Sequence, residues 1–261
     1  MSWKLVSAAR RTVADCMGVK ANERVTVVAD DATLEVAEAL IFAAREEKAE
    51  TVLALMTPRR HNGEEPPAAV AAAIRECDAC LLATKVSLSH TIARKAACEA
   101  GVRAASMPGI NADILIRTMG IDYHELARHT RELAEDITGT SRFHLTAPNG
   151  TDMVINVSGC IFGADAGLYH QPGEFGNLPA GEVCTGPRAQ GSSGVAVFDG
   201  SFAGVGLLRQ PVTIRFEDGV AVDVAGAAEA ERLARLLDDH GPSARVLAEL
   251  GIGTHPTARL T

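Results

Sequence analysis

The sequence predicts an α/β protein: an open, doubly wound parallel-sheet domain over residues 1–125, then an α+β domain over residues 126–261. Three observations predict it. Between residues 25 and 118, short apolar runs alternate with segments of helical period. Those runs are continuously apolar, as strands buried on both faces of a parallel sheet are. After residue 140 the chain changes to paired β runs with Asn-Gly or Asp-Gly between them, the marks of antiparallel hairpins.

The elements follow in order. Val25–Ala29 is a strand and Ala32–Glu46 a helix. Thr51–Met56 is a strand, and Pro66–Glu76 is a helix opened by two prolines whose fixed φ suits a first turn. Ala79–Ala83 is a strand, and Thr91–Ala100 is a helix stopped by Gly101. Val102–Ser106 is a strand, with a helix over Asn111–Thr118. Right-handed crossovers then make the sheet open and doubly wound. Tyr123–Ile137 reads as a connecting helix, with the domain boundary between residues 120 and 140. Phe143–Ala147 and Met153–Val157 flank Asn149-Gly150; Val195–Phe198 precedes Asp199-Gly200; Val212–Phe216 and Val220–Val224 flank Asp218-Gly219. A helix from Ala227 to Asp239 follows.

Composition narrows the function. A net charge of −8 disfavours nucleic acid or an anionic membrane as partner, because both reward clustered Lys and Arg. No run approaches the roughly 20 apolar residues that span a bilayer. The N-terminus reads as an amphipathic helix rather than a secretory signal, which places the chain in the cytoplasm. Aromatics are only 4%, so the core is built from Ala, Val, Leu and Ile. Six cysteines lack framework spacing and read as reduced thiols. Cys77 and Cys80 form a CxxC across a helix-to-strand joint, without the second pair a zinc site requires, so they too read as structural.

No GxxxxGK[ST], GxGxxG, HExxH or GxSxG motif occurs, which removes the support for those nucleotide, zincin and hydrolase readings. Ligands of open α/β sheets sit at the carboxyl ends of strands. Among those loops, Lys85–His90 stands out. Ser89 can cap the next helix and place His90 in its first turn, where a neutral imidazole serves as base or donor; the alternative is a solvated turn histidine. Arg59 and Arg60 offer a carboxylate clamp, or a solvated loop. His170 and Glu174, in a glycine-rich run, are either supporting groups or turn residues, while His144 and His240 read as structural. Two further stretches each set one carboxylate beside glycine and proline: Asn177–Glu182 and Glu249–Pro256. Alone, Glu182 or Glu249 is a surface carboxylate; together they read as halves of one divalent-metal site, with His255 six positions after Glu249 as a further ligand or supporting group.

These residues carry a resemblance. Asn177–Val183, Glu249–Thr254, Ser87–Thr91, Glu64–Pro67 and Met107–Gly109 resemble motifs of the aminopeptidase T family of metallo-aminopeptidases, over essentially the whole chain. The resemblance implies a cytosolic homodimer, a two-metal centre of Zn, Co or Mn, a peptide substrate, and Glu182 and Glu249 as ligands. The same superfamily includes the ring-opening 2,5-dihydroxypyridine dioxygenases, which hold one Fe(II) with two His and one Asp and act on a small molecule. His255 stands where peptidase-like members often have Asn, which keeps the Fe(II) reading open. Relatives continue for several dozen residues with further His and a His-x-Asp pair, so the resemblance also implies a C-terminally incomplete metal domain. The expectation is an aminopeptidase-like hydrolase, with the dioxygenase or a catalytically silent binding protein as alternatives.

Overall fold

The computed structural model describes residues 2–260. Its elements are α1 (Trp3–Arg11), continuing as a π-turn over Thr12–Cys16, β1 (Arg24–Ala29), α2 (Leu34–Glu46), β2 (Glu50–Leu55), α3 (Ala68–Arg75), β3 (Ala79–Ala83), α4 (Ile92–Glu99), β4 (Arg103–Ser106), α5 (Ala112–Thr118) and α6 (Tyr123–Asp136). There follow β5 (Arg142–Thr146), β6 (Asp152–Asn156), β7 (Gly163–Asp165), β8 (Phe175–Asn177), β9 (Glu182–Thr185), β10 (Arg188–Phe198), β11 (Ser201–Phe202), β12 (Gly206–Leu207), β13 (Val212–Glu217), β14 (Val220–Ala225), α7 (Ala228–Asp239), a 3₁₀ turn over Pro242–Arg245, and β15 (Leu250–Gly253). No helix of the described residues is long and apolar enough to cross a membrane.

Two compact units result. The first holds the chain up to Arg131 together with Asp165–Glu182 and Thr254–Ala258; the second holds Glu132–Ala164, Val183–Gly253 and the residues after Ala258. The first unit's sheet has the order β2-β1-β3-β4-β8, with every neighbouring pair parallel. Alternate side chains feed opposite faces. Val25, Val27 and Leu81 join Leu5, Leu40 and Leu115 of α1, α2 and α5 in one core. Val28, Cys80 and Leu82 join Val70, Ile74 and Ala97 of α3 and α4 in the other. This is the doubly wound α/β arrangement the apolar runs predict. Its fifth strand, β8, comes from late sequence.

In the second unit, the antiparallel sheet β14-β13-β10-β6-β5 packs Met153, Ile155, Val212, Ile214 and Phe216 against Leu233 of α7. Asp218 and Gly219 both take positive φ, the conformation that a two-residue hairpin turn needs. β10 is longer than the Val195–Phe198 expected: it starts at Arg188 and shifts register between Arg188 and Ser193. A three-stranded sheet, β15-β9-β7, completes the unit.

Candidate active site around His255

The turn after β15 is clamped onto α5 and α6. Thr254 N–H donates to Gly181 O at 2.8 Å, and its hydroxyl meets that of Thr130 in α6 at 2.8 Å. Thr257 Oγ1 donates to Arg117 O at 3.0 Å, and Arg117 Nη1 donates back to Thr257 O at 3.0 Å. These bonds fix His255. Its Nε2 lies 3.1 Å from the Thr118 carbonyl oxygen, which can only accept, so Nε2 carries the proton. Its Nδ1 lies 3.3 Å from Thr257 N–H, which can only donate, so Nδ1 presents its lone pair. Burial pushes the His255 pKa down, which keeps the ring neutral. Tyr123 packs edge-on against it, with ring centroids 6.1 Å apart. Burial raises the Tyr123 phenol well above its ordinary pKa, with the Ala180 backbone pulling the other way.

Gly181 supplies the other wall. Its φ of +117° suits glycine, and a Cβ there would lie 2.9 Å from His255 Cβ and 3.0 Å from His255 N. Gly181 N–H donates to Asp165 O at 2.9 Å, so the Asn177–Glu182 run is held from its far side as well. The Tyr169 hydroxyl lies 2.5 Å from Asp165 Oδ1 and 2.7 Å from Asn177 O. Burial pushes the Asp165 carboxyl above its ordinary range, with the Tyr169 hydroxyl and Asn177 pulling the other way.

Next to the turn lies a cleft of about 380 Å³. Ile121, Leu126 and Pro256 give it apolar walls; Asp122, Glu125, His129 and Thr254 give it polar ones. Asp122 Oδ1 also caps α6, accepting from His124 N–H and Glu125 N–H. In sequence this helix reads as a connector, and Asp122, Glu125 and His129 do not stand out. The available signal was the i, i+4 spacing of Glu125 and His129, which puts both on one helix face.

Of the other predicted residues, Glu182 directly follows Gly181, in the strand that neighbours β15. His90 is exposed in the turn before α4. The cap expected of Ser89 is made by Thr91, whose Oγ1 accepts from Arg94 N–H at 3.2 Å. Ser89 instead bonds the hydroxyls of Ser87 and Ser106, so His90 precedes the helix rather than lying in its first turn. Arg59 folds back on its own loop, donating to Thr57 O at 2.9 Å and lying 3.8 Å from Glu64; Arg60 is exposed. Glu182 opens β9 and is half-buried, whereas Glu249 is exposed just before β15. His170 bonds Asp15 O, His144 pairs with Asp152 and His240 bonds Leu236 O, so each is locally satisfied.

His255 lies between two residues that line the cleft, Thr254 and Pro256, with its Nδ1 lone pair accepting from Thr257 N–H. A metal ion asks for more. Among the described residues, no three His, Cys, Asp or Glu side chains gather closely enough to hold one. The described residues therefore do not make a complete metal set.

Comparison with known proteins bears on the chemistry. Among solved structures, the 2,5-dihydroxypyridine dioxygenase from Pseudomonas putida KT2440 superposes with a TM-score of 0.79 at 17% identity, covering 98% of this chain and 78% of that one. AmpT from Thermus thermophilus superposes with a TM-score of 0.65 at 20% identity, covering 96% of this chain and 78% of that one. At these identities both establish the fold alone. No curated protein sequence matches. The sequence pattern of the 2,5-dihydroxypyridine 5,6-dioxygenase family, NicX, matches residues 4–261. The expected likeness to aminopeptidase T thus holds at the level of the fold, while the family match falls on the dioxygenases: the chain belongs to the 2,5-dihydroxypyridine 5,6-dioxygenase family.

Proposed function

We propose that this chain serves the ring-opening oxygenation of a dihydroxylated N-heteroaromatic, the alternative raised by His255 rather than the peptidase reading. The observation that carries the proposal is the family match over residues 4–261. The site geometry agrees with it. The apolar walls of the cleft suit a flat ring, and Asp122, Glu125, His129 and Thr254 suit its hydroxyl groups. The family implies a divalent metal, Fe(II), which would supply the activation of dioxygen. His255 is this chain's candidate donor to it: the Thr118 carbonyl fixes the tautomer in which Nδ1 carries the lone pair, and the bond from Thr257 N–H would have to yield for Nδ1 to donate. The paired-carboxylate role of Glu182 and Glu249, with Zn, Co or Mn, belongs to the peptidase alternative, as does substrate capture by Arg59 and Arg60. His90 is a proposed base in the dioxygenase reading, and a homodimer is the proposed assembly.

The test is oxygen consumption by the protein loaded anaerobically with Fe(II), on addition of 2,5-dihydroxypyridine. It is set beside leucyl-anilide hydrolysis after addition of Zn(II) or Co(II). Oxygen uptake without amide hydrolysis is expected, and His255→Asn should abolish it. Amide hydrolysis without oxygen uptake would transfer the chain to the peptidase reading. Activity on neither substrate would leave a binding protein.

A further inference from the structure

Below the first unit's sheet, away from His255, two thiols gather on one threonine. Thr26 of β1 and Cys80 of β3 are register partners, and both Cys77 and Cys80 belong to the core under α3 and α4. Cys77 follows α3, and its Sγ donates to Ile74 O at 3.1 Å. Thr26 anchors the same joint by donating to Ala73 O at 3.2 Å. Cys77 reaches the surface on two sides: it lines a polar crevice of about 480 Å³ with Arg24, Arg75 and Arg103, and a smaller one of about 160 Å³ with Glu50 and Val52. Cys80 is wholly enclosed.

We propose that Cys77 and Cys80 are a dithiol that a small peroxide oxidises to an intramolecular disulfide. Cys77 is the sulfur attacked first, because it alone of the two meets a crevice. The neighbouring Cys80 thiol lowers the Cys77 pKa, with burial and Asp78 opposing, and so favours the reactive thiolate. Cys80, held above its ordinary pKa by the Cys77 sulfur and by burial, stays a thiol. The Cys77 sulfur attacks one peroxide oxygen, the O–O bond breaks, and the leaving oxygen departs as water, giving a sulfenic acid. The Cys80 sulfur then attacks the Cys77 sulfur. The S–O bond breaks, and the hydroxyl leaves as water with the Cys80 proton. Two thiols and one peroxide thus give one disulfide and two waters, the dithiol losing two electrons and the peroxide gaining them. The crevice selects for a small oxidant, since Cys77 is only 6% exposed. Cys16 and Cys98 both have raised pKa values through burial, which leaves them slower competitors.

The experiment treats the reduced chain with one equivalent of hydrogen peroxide, alkylates the remaining thiols after denaturation, and maps the peptides. Cys77 and Cys80 should disappear from the alkylated set together, joined in one peptide. In Cys80→Ser, dimedone should trap the sulfenic acid on Cys77. A Cys80–Cys98 disulfide, or oxidation confined to Cys160 or Cys184 with Cys77 still alkylatable, would overturn the assignment. Should Cys80→Ser fail to fold, native-state iodoacetamide labelling of the unmodified chain decides: Cys77 labels before Cys98 and Cys16 if the proposal holds, and after them if it does not.

Discussion

Gly181→Ala tests whether the His255 turn is built as described. At φ +117° a side chain is strained by about 1–3 kcal/mol. The new methyl would also lie 3.0 Å from His255 N and 3.2 Å from its Cα, so backbone must move rather than a flexible side-chain tip. That movement weakens the bonds from Thr254 N–H to Gly181 O and from Gly181 N–H to Asp165 O, at about 1 kcal/mol each. The expected loss is about 2–5 kcal/mol. For a chain of this size it lowers Tm by roughly 5–15 °C. Gly63→Ala is the control: its φ is +81°, but nothing lies within 4 Å, so it carries strain without collision. Calorimetry gives the two Tm values, and hydrogen exchange at Thr254 reports the turn itself. Gly181→Ala should lower Tm more than Gly63→Ala and speed exchange at Thr254. Equal Tm losses with unchanged Thr254 exchange would refute the close packing of Gly181 on His255.

Three other outcomes follow from specific contacts. Glu23 pairs with the buried Arg103 at 2.7 and 3.0 Å; burial pushes the Glu23 carboxyl up, but bonds from Arg103 and Lys20 N–H outweigh it and hold the pKa low. Its stabilisation is therefore present above the unfolded value near ~4.3 and lost as pH falls through the folded one. Glu23→Gln should cost about 2–4 kcal/mol at neutral pH and flatten the acid limb of a Tm–pH curve; an unchanged limb would count against the pair. Asp165 has the opposite sign: burial raises its pKa, so its contribution is full below about 3.9 and lost as pH rises through the folded value. The stability of Asp165→Asn relative to the parent should thus grow with pH in denaturant titrations, and a falling difference would contradict the assignment. Thr91→Ala should cost about 1 kcal/mol by uncapping α4, while Ser89→Ala should leave the cap bond to Arg94 N–H protected from exchange; the reverse pattern would return the cap to Ser89.

Much of the first unit could be read because its strands are short, unbroken apolar runs, such as Ala79–Ala83, set between helices with recognisable ends. What could not be read depends on distance along the chain. Ser89 and Thr91 are both good capping residues, and only the backbone path shows which one faces Arg94 N–H. Phe175–Asn177 lies in a glycine-rich run that reads as loop, and becomes a strand because Ala104–Ser106 offers it a partner. β10 hides for a similar reason: its first half contains Gly191 and Gly194, both at positive φ. At the candidate site, the tautomer of His255 is set by Thr118, 137 positions earlier, and no local pattern encodes that bond. A reading made in sequence order divides the chain with one cut, whereas the first unit takes in three stretches.

The pairing of β4 with β8 sets an order of events during synthesis. Ala104–Ser106 leaves the ribosome long before Phe175–Asn177, and until then its outer amides and carbonyls have no strand to meet. At elongation rates of about 5–20 residues per second, that open edge persists for several seconds. Exposed edges recruit whatever strand arrives first. The nascent first unit therefore has a window in which a neighbouring nascent chain competes with its own β8, and slower translation between β4 and β8 would widen that window and lower the yield of folded protein.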